Sequence, residues 1–160
     1  MQQHCQKLLA DKGYQQYEVS AYSQSGLQCR HNVNYWQFGD YLGIGAGAHG
    51  KISQALPAKI TRSFKPKSPE QYLSHTHKNG GAEAISMADL PLEFIMNHLR
   101  LKKGFTPETY HATTGLALTS LEPALSACLK QKLIVYKNNH YYCTEQGWNF
   151  MDNVLEKFIL

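Results

Sequence analysis

The chain has 160 residues, of which 42% are apolar, with 16 basic and 12 acidic side chains and a net charge of +4. That length suits one domain, or one small domain with an appendage, and the apolar share supports a packed core and argues against wholesale disorder. No apolar run nears the roughly 18 residues of a membrane span, and the opening "MQQHCQKLLADKGY" lacks a signal peptide's apolar centre, so a cytoplasmic setting is expected.

In chain order, residues 2–12 predict a helix, because Cys5, Leu8 and Leu9 recur at helical spacing and Gly13 suits its C-terminal stop. "YEVSAY" alternates and predicts a short strand. The segment "CRHNVNYWQFGD" reads as irregular. "YLGIGA" predicts a second short, buried strand, followed by a glycine loop. Helix, strand, strand is an α/β pattern too short to close its own sheet, so its edge needs a cover.

Residues 51–67 are basic, carrying Lys51, Lys59, Arg62, Lys65 and Lys67 with Pro57 and Pro66, and read as a hairpin or linker. This stretch is either a solvated basic surface or a contact for an anionic partner. Ser68 then caps a helix with Pro69 at its first position, and Gly80 and Gly81 end it.

From residue 86 the pattern is helical with one small hairpin. "DLPLEFIMNHLRLKKG" places Leu92, Ile95, Met96 and Leu99 on one face. "TPETYHATTG" is a short helix between the cap Thr106 and the stop Gly115. "SLEPALSACLKQ" aligns Leu121, Leu125, Cys128 and Leu129. "LIVYKNNHYYC" is a hairpin turning at Asn138-Asn139, residues that tolerate positive φ. Thr144 caps a last helix with Trp148, Met151, Leu155 and Phe158 on one side.

Helix, helix, hairpin, helix is a winged-helix order, which raises nucleic-acid binding. The candidate recognition helix, 120–131, offers only Lys130 and Gln131, too little for base or phosphate contacts, so no nucleic-acid partner is expected.

Four cysteines, Cys5, Cys29, Cys128 and Cys143, form no CxxC pair, and buried or idle thiols are expected. "GAGAHG", residues 45–50, matches G-x-G-x-x-G, but "KISQALPAK" follows it with no helical period, which removes the dinucleotide reading. A tight turn, or close backbone approach to some other ligand, remains. His31 is either hydrogen-bonded in a turn or, with Tyr35 and Trp36 as flat walls, a nitrogen ligand for haem iron. His75 and His77 offer no comparable neighbours, and the role of Asp40 stays open.

"RHNVNYW" followed by "FGDYLGIGAGAHG" closely resembles the HemW haem chaperones, within the radical-SAM family of oxygen-independent coproporphyrinogen III oxidase-like proteins. "GYQQYEVSAYS", "EFIMNHLRLKKGF", "TTGL" and "TEQGWNFMDNVLEKFI" resemble the same family, so nearly the whole chain is covered, in order. H-N-x-x-Y-W is the specific part and marks the haem-chaperone branch. The resemblance implies haem binding by His31, as ligand to the haem iron, with Asn32, Tyr35 and Trp36 around it. It also implies that Ala48 and His49 line a wall of the S-adenosylmethionine site. The family's C-x-x-x-C-x-x-C motif, which holds a four-iron four-sulfur cluster, does not occur in this sequence. The expectation is a C-terminal fragment, without catalytic residues and inactive alone, whose full-length parent carries that cluster and S-adenosylmethionine.

The fold expected is α/β plus mainly α. Residues 1–55 would be the closing strands of a partial (β/α) barrel, 56–67 a linker or hairpin, and 68–160 a helical, winged-helix-like domain. The expected partners are haem, haem-acceptor proteins (membrane-associated ones included) and the N-terminal barrel half. Two other readings stay open: part of an oxygen-independent coproporphyrinogen III oxidase, and a stand-alone winged-helix interaction module.

Overall fold

A computed structural model describes residues 2–54, 59–74 and 80–159. The chain forms two compact units, one made of residues 1–38 with 91–160, the other of residues 39–90. The breaks differ from the division read from sequence, because the chain leaves the first unit after Phe38 and returns to it at Pro91. Pro57, His75 and His77 lie outside the described residues.

In the first unit, α1 (Gln2–Asp11) ends as expected at Gly13, whose φ is +79°. The predicted single strand is instead a tight hairpin, β1 (Gln15–Glu18) and β2 (Ala21–Ser23), since Val19 and Ser20 make the turn. This hairpin gains a third partner from far along the chain. Glu18 bridges Leu101, the Val19 amide donates to the Arg100 carbonyl (3.1 Å), and the Lys102 amide donates to the Tyr17 carbonyl (3.1 Å). The stretch read as irregular forms a helix, α2 (Arg30–Trp36).

The second unit holds a three-stranded antiparallel sheet in the order β3 (His49–Gln54), β4 (Lys59–Phe64), β5 (Gly81–Ala84). β3 and β4 pair antiparallel, from His49 opposite Phe64 to Gln54 opposite Lys59, and β5 was not foreseen. "YLGIGA" is not a buried strand. Only Tyr41 pairs, with Lys51, while Leu42 and Ile44 are 80% and 86% exposed. Gly43 sits so close to the His49 carbonyl that any side chain at 43 would collide with it. α3 (Pro69–Leu73) starts as predicted, with the Gln71 amide donating to the Ser68 hydroxyl.

The C-terminal elements of the first unit are α4 (Leu90–His98), α5 (Pro107–Thr114), a 3-10 turn at Leu118–Leu121, α6 (Ala124–Lys130), β6 (Ile134–Lys137), β7 (His140–Cys143), α7 (Glu145–Asn149) and α8 (Met151–Leu155). Predicted caps are in place: Thr106 and Thr144 accept from the amides three residues on, and Gly115 is left-handed. Asn138 and Asn139 both have positive φ, as a two-residue hairpin demands. The core gathers Phe94, Ile95, Leu99, Phe105, Tyr110, Leu121, Leu125, Cys128, Ile134 and Val154. Met96 is half exposed, and Phe94 takes the core place that spacing gave it. Phe105 also bridges Tyr141 of β7.

Candidate functional site

Helix α2 has seven residues, no side-chain cap at Cys29 and no buried residue. A helix that short does not hold its shape unaided. Its period divides the H-N-x-x-Y-W letters into two pairs, His31 with Tyr35 and Asn32 with Trp36, each spaced four apart and so on a common face. The His31 imidazole is exposed, and the Tyr35 ring lies 5.6 Å from it, tilted by 56°. Asn32 is partly buried and its amide donates to the Tyr17 hydroxyl (3.4 Å). Trp36 packs edge-on to Tyr35, and the Arg100 guanidinium lies 4.2 Å from the Trp36 ring centroid. The Trp36 indole N–H is buried without a hydrogen-bond partner among the described residues. Phe38, with φ of +62°, is 4% exposed and meets Phe94.

Arg100 was not singled out by sequence reading. Its Nη2 donates to Glu18 Oε2 (3.3 Å) and Ser20 Oγ (3.1 Å), and the Glu18 side chain is 3% exposed. Glu18 Oε1 also accepts from the Ser20 amide. No local signal could have found this pair, whose members are 82 residues apart.

The glycine loop belongs to the other unit. Three of its amides are already engaged: Gly45 donates to the Tyr72 hydroxyl (3.2 Å), Gly47 to the Pro66 carbonyl (2.7 Å) and Ala48 to the Gly45 carbonyl (3.2 Å). Gly45 and Gly47 have positive φ, so the sequence uses glycine where the turn requires it. A strand, β3, follows the loop, which leaves no helix N-terminus for a pyrophosphate. Ala48 is half buried and the His49 side chain is exposed.

Asp40 anchors this unit. Its carboxylate accepts from the Ser53 amide (2.9 Å) and from Lys51 Nζ (3.3 Å). Slight burial works against ionisation, but the Ser53 hydrogen bonds and Lys51 outweigh it and hold the carboxyl below its usual range. Lys51, expected on a solvated basic face, is instead 3% exposed, because Asp40 neutralises it. Lys59, Arg62, Lys65 and Lys67 are exposed. Cys5 and Cys29 are exposed, whereas Cys128 and Cys143 are buried, and burial pushes the Cys143 thiol up to about 12.

The donor set on α2 has the chemistry that a haem iron would take. It presents an accessible imidazole beside an aromatic ring, on a helix fixed by other residues. Among the described residues no three His, Cys, Asp or Glu side chains gather as a metal cluster site, and no helix is long and apolar enough to cross a membrane.

Residues 85–150 match the HemN C-terminal domain. The haem chaperone HemW of Haemophilus influenzae is 40% identical over 157 residues, covering 96% of this chain and 39% of that protein. The Escherichia coli haem chaperone HemW is 38% identical, over 96% of this chain and 40% of that protein. The chain is homologous to the C-terminal part of these proteins. It spans about two fifths of the length of the curated relatives it matches. Its fold resembles that of E. coli coproporphyrinogen III oxidase HemN, a radical SAM enzyme, with a TM-score of 0.67 over 98% of this chain and 39% of that one. At 14% identity that likeness concerns the fold alone.

Proposed function

We propose that this chain provides the haem-binding and haem-handing portion of a HemW-type protein, with His31 as ligand to the haem iron. The observation that carries the reading is the exposed His31 imidazole beside Tyr35, on a helix whose Asn32 and Trp36 face the rest of its unit. Haem would supply a Lewis-acidic iron, and His31 would hold it through an imidazole nitrogen. Tyr35 offers an aromatic surface beside that nitrogen, and Asn32 and Trp36 orient the helix. The 38–40% identity to haem chaperones supports the same assignment.

Contact with S-adenosylmethionine at Ala48 and His49 belongs to this proposal only within a complete radical-SAM protein that carries the cluster motif. With the Gly45, Gly47 and Ala48 amides engaged, the exposed His49 side chain is a group able to make it. In this reading residues before about 55 contribute to a partial barrel and α5, α6, the β6–β7 hairpin and α7 make a winged-helix-like module. The element order and the Phe105–Tyr141 bridge beside the hairpin support the second part. The partners would be haem, haem-acceptor proteins and the N-terminal barrel half, in a cytoplasmic setting. A coproporphyrinogen oxidase parent is the lesser reading, because H-N-x-x-Y-W accompanies the chaperone branch.

Titration of the chain with ferric haem tests the assignment. A Soret shift that saturates at one equivalent, and that His31→Ala abolishes, is the expected result. A variant that binds haem as tightly as the parent would remove His31 from the role.

A further inference from the structure

The short α2 helix must be held by its neighbours, and three contacts lead from it or its C-terminal end to other elements. Asn32 reaches the Tyr17 hydroxyl, Phe38 packs near Phe94 just beyond the C-terminal end, and Trp36 lies against Arg100. The Tyr17 bond is long at 3.4 Å. The Phe38 ring is 6.4 Å from that of Phe94 and sits outside the helix itself. Arg100 lies over the Trp36 ring, 4.2 Å from its centroid, and ties the helix to the C-terminal elements.

Arg100 is itself fixed in three ways. Its carbonyl accepts from the Val19 amide, and its guanidinium reaches Glu18 and Ser20. The Glu18 carboxylate is all but buried, and a buried carboxylate holds its cationic partner firmly because leaving it unpaired is costly. A planar guanidinium can serve a carboxylate through its edge while stacking on an aromatic face, which an ammonium does poorly.

We propose that Arg100 is a positioning residue for His31: clamped by Glu18 and stacked on Trp36, it fixes α2 in the orientation that presents the His31–Tyr35 face. This rests on the reading of His31 as a haem ligand and adds the element that aims it. Arg100 need not touch the ligand. It acts through Trp36, whose ring occupies the face of α2 adjoining the one that carries His31.

Arg100→Ala alone leaves Glu18 buried and unpaired, and can unfold the unit for that reason. The decisive variant is therefore the double substitution Glu18→Gln with Arg100→Met, which removes both charges and keeps apolar bulk over Trp36. Haem affinity, Soret position, thermal midpoint and amide exchange of residues 33–38 are measured on the full 160-residue chain. The expected result is a folded protein with faster exchange at 33–38, haem binding weaker by about 3- to 30-fold, and a smaller six-coordinate fraction. Arg100→Lys, which keeps the charge and part of the stacking, should recover some of the affinity. A folded double variant with parental haem affinity and coordination overturns the proposal, as does parental exchange at 33–38. If the parent chain binds no haem, the reading of His31 fails, while the exchange result still decides whether the clamp exists.

Discussion

Phe94, Ile95, Leu99, Tyr110, Leu121 and Leu125 are each no more than 1% exposed, whereas Leu27, Leu42 and Ile44 are 70%, 80% and 86% exposed. The first set lies in the C-terminal elements, which close a core around aromatic rings packed edge to face, with Phe94 against Phe105 at 5.1 Å and Tyr110 at 4.9 Å. The second set lies along residues 27–44, where Phe38 is buried but these three side chains stand in solvent. Polar ties hold the neighbouring backbone there: Asp40 to Ser53 and Lys51, Gly45 to Tyr72, Gly47 to Pro66. The two regions should therefore fail differently. The core should be sensitive to lost volume, and Leu27, Leu42 and Ile44 indifferent to it.

The sharpest test of that contrast is Phe94→Ala. It removes a fully buried ring from the centre of the core and should cost about 3–5 kcal/mol in denaturant unfolding. A loss below about 1 kcal/mol would show that the core collapses around the gap.

A smaller effect comes from His98, which is 2% exposed and stacks on Phe94 at 3.8 Å. Burial pushes its imidazole down from 6.5 to about 4, against the opposite pull of the Phe94 carbonyl. The unfolded chain thus takes up a proton first as the pH falls. Stability from this group is complete above about pH 6.5, declines by about 1.4 kcal/mol per unit towards pH 4, and levels off below. Urea midpoints at pH 7, 6 and 5 should fall in the parent and much less in His98→Phe; parallel slopes would remove His98 as the cause. At the small end, Leu42→Ser and Ile44→Ser should each change stability by no more than about 0.5 kcal/mol. A larger loss would mean that the exposed stretch carries packing after all.

The elements set by local chemistry were legible in the sequence. Ser68, Thr106 and Thr144 cap where their hydroxyls can reach the amide three residues on, and Gly13, Gly115 and Asn138-Asn139 turn where positive φ is needed. The misreadings have non-local causes. "YLGIGA" has the composition of a buried strand, but burial depends on what lies opposite, and among the described residues only Tyr41 finds a strand partner. "RHNVNYW" has little apolar period, because its anchors are an arginine and a tyrosine on distant elements rather than a core. The candidate ligand His31 was visible as a motif letter, while Arg100 and Glu18 meet only because the 17–19 and 100–102 backbones pair.

The alternation within α2 has a consequence for descent as well as for binding. Asn32 and Trp36 answer to the fold, whereas in the proposed reading His31 and Tyr35 answer to haem. If that proposal holds, then in a lineage released from carrying haem but still required to fold, the four letters should drift at two different speeds. His31 and Tyr35 would be lost first, and Asn32 and Trp36 would outlast them as a remnant whose original purpose could no longer be read from the letters that remain.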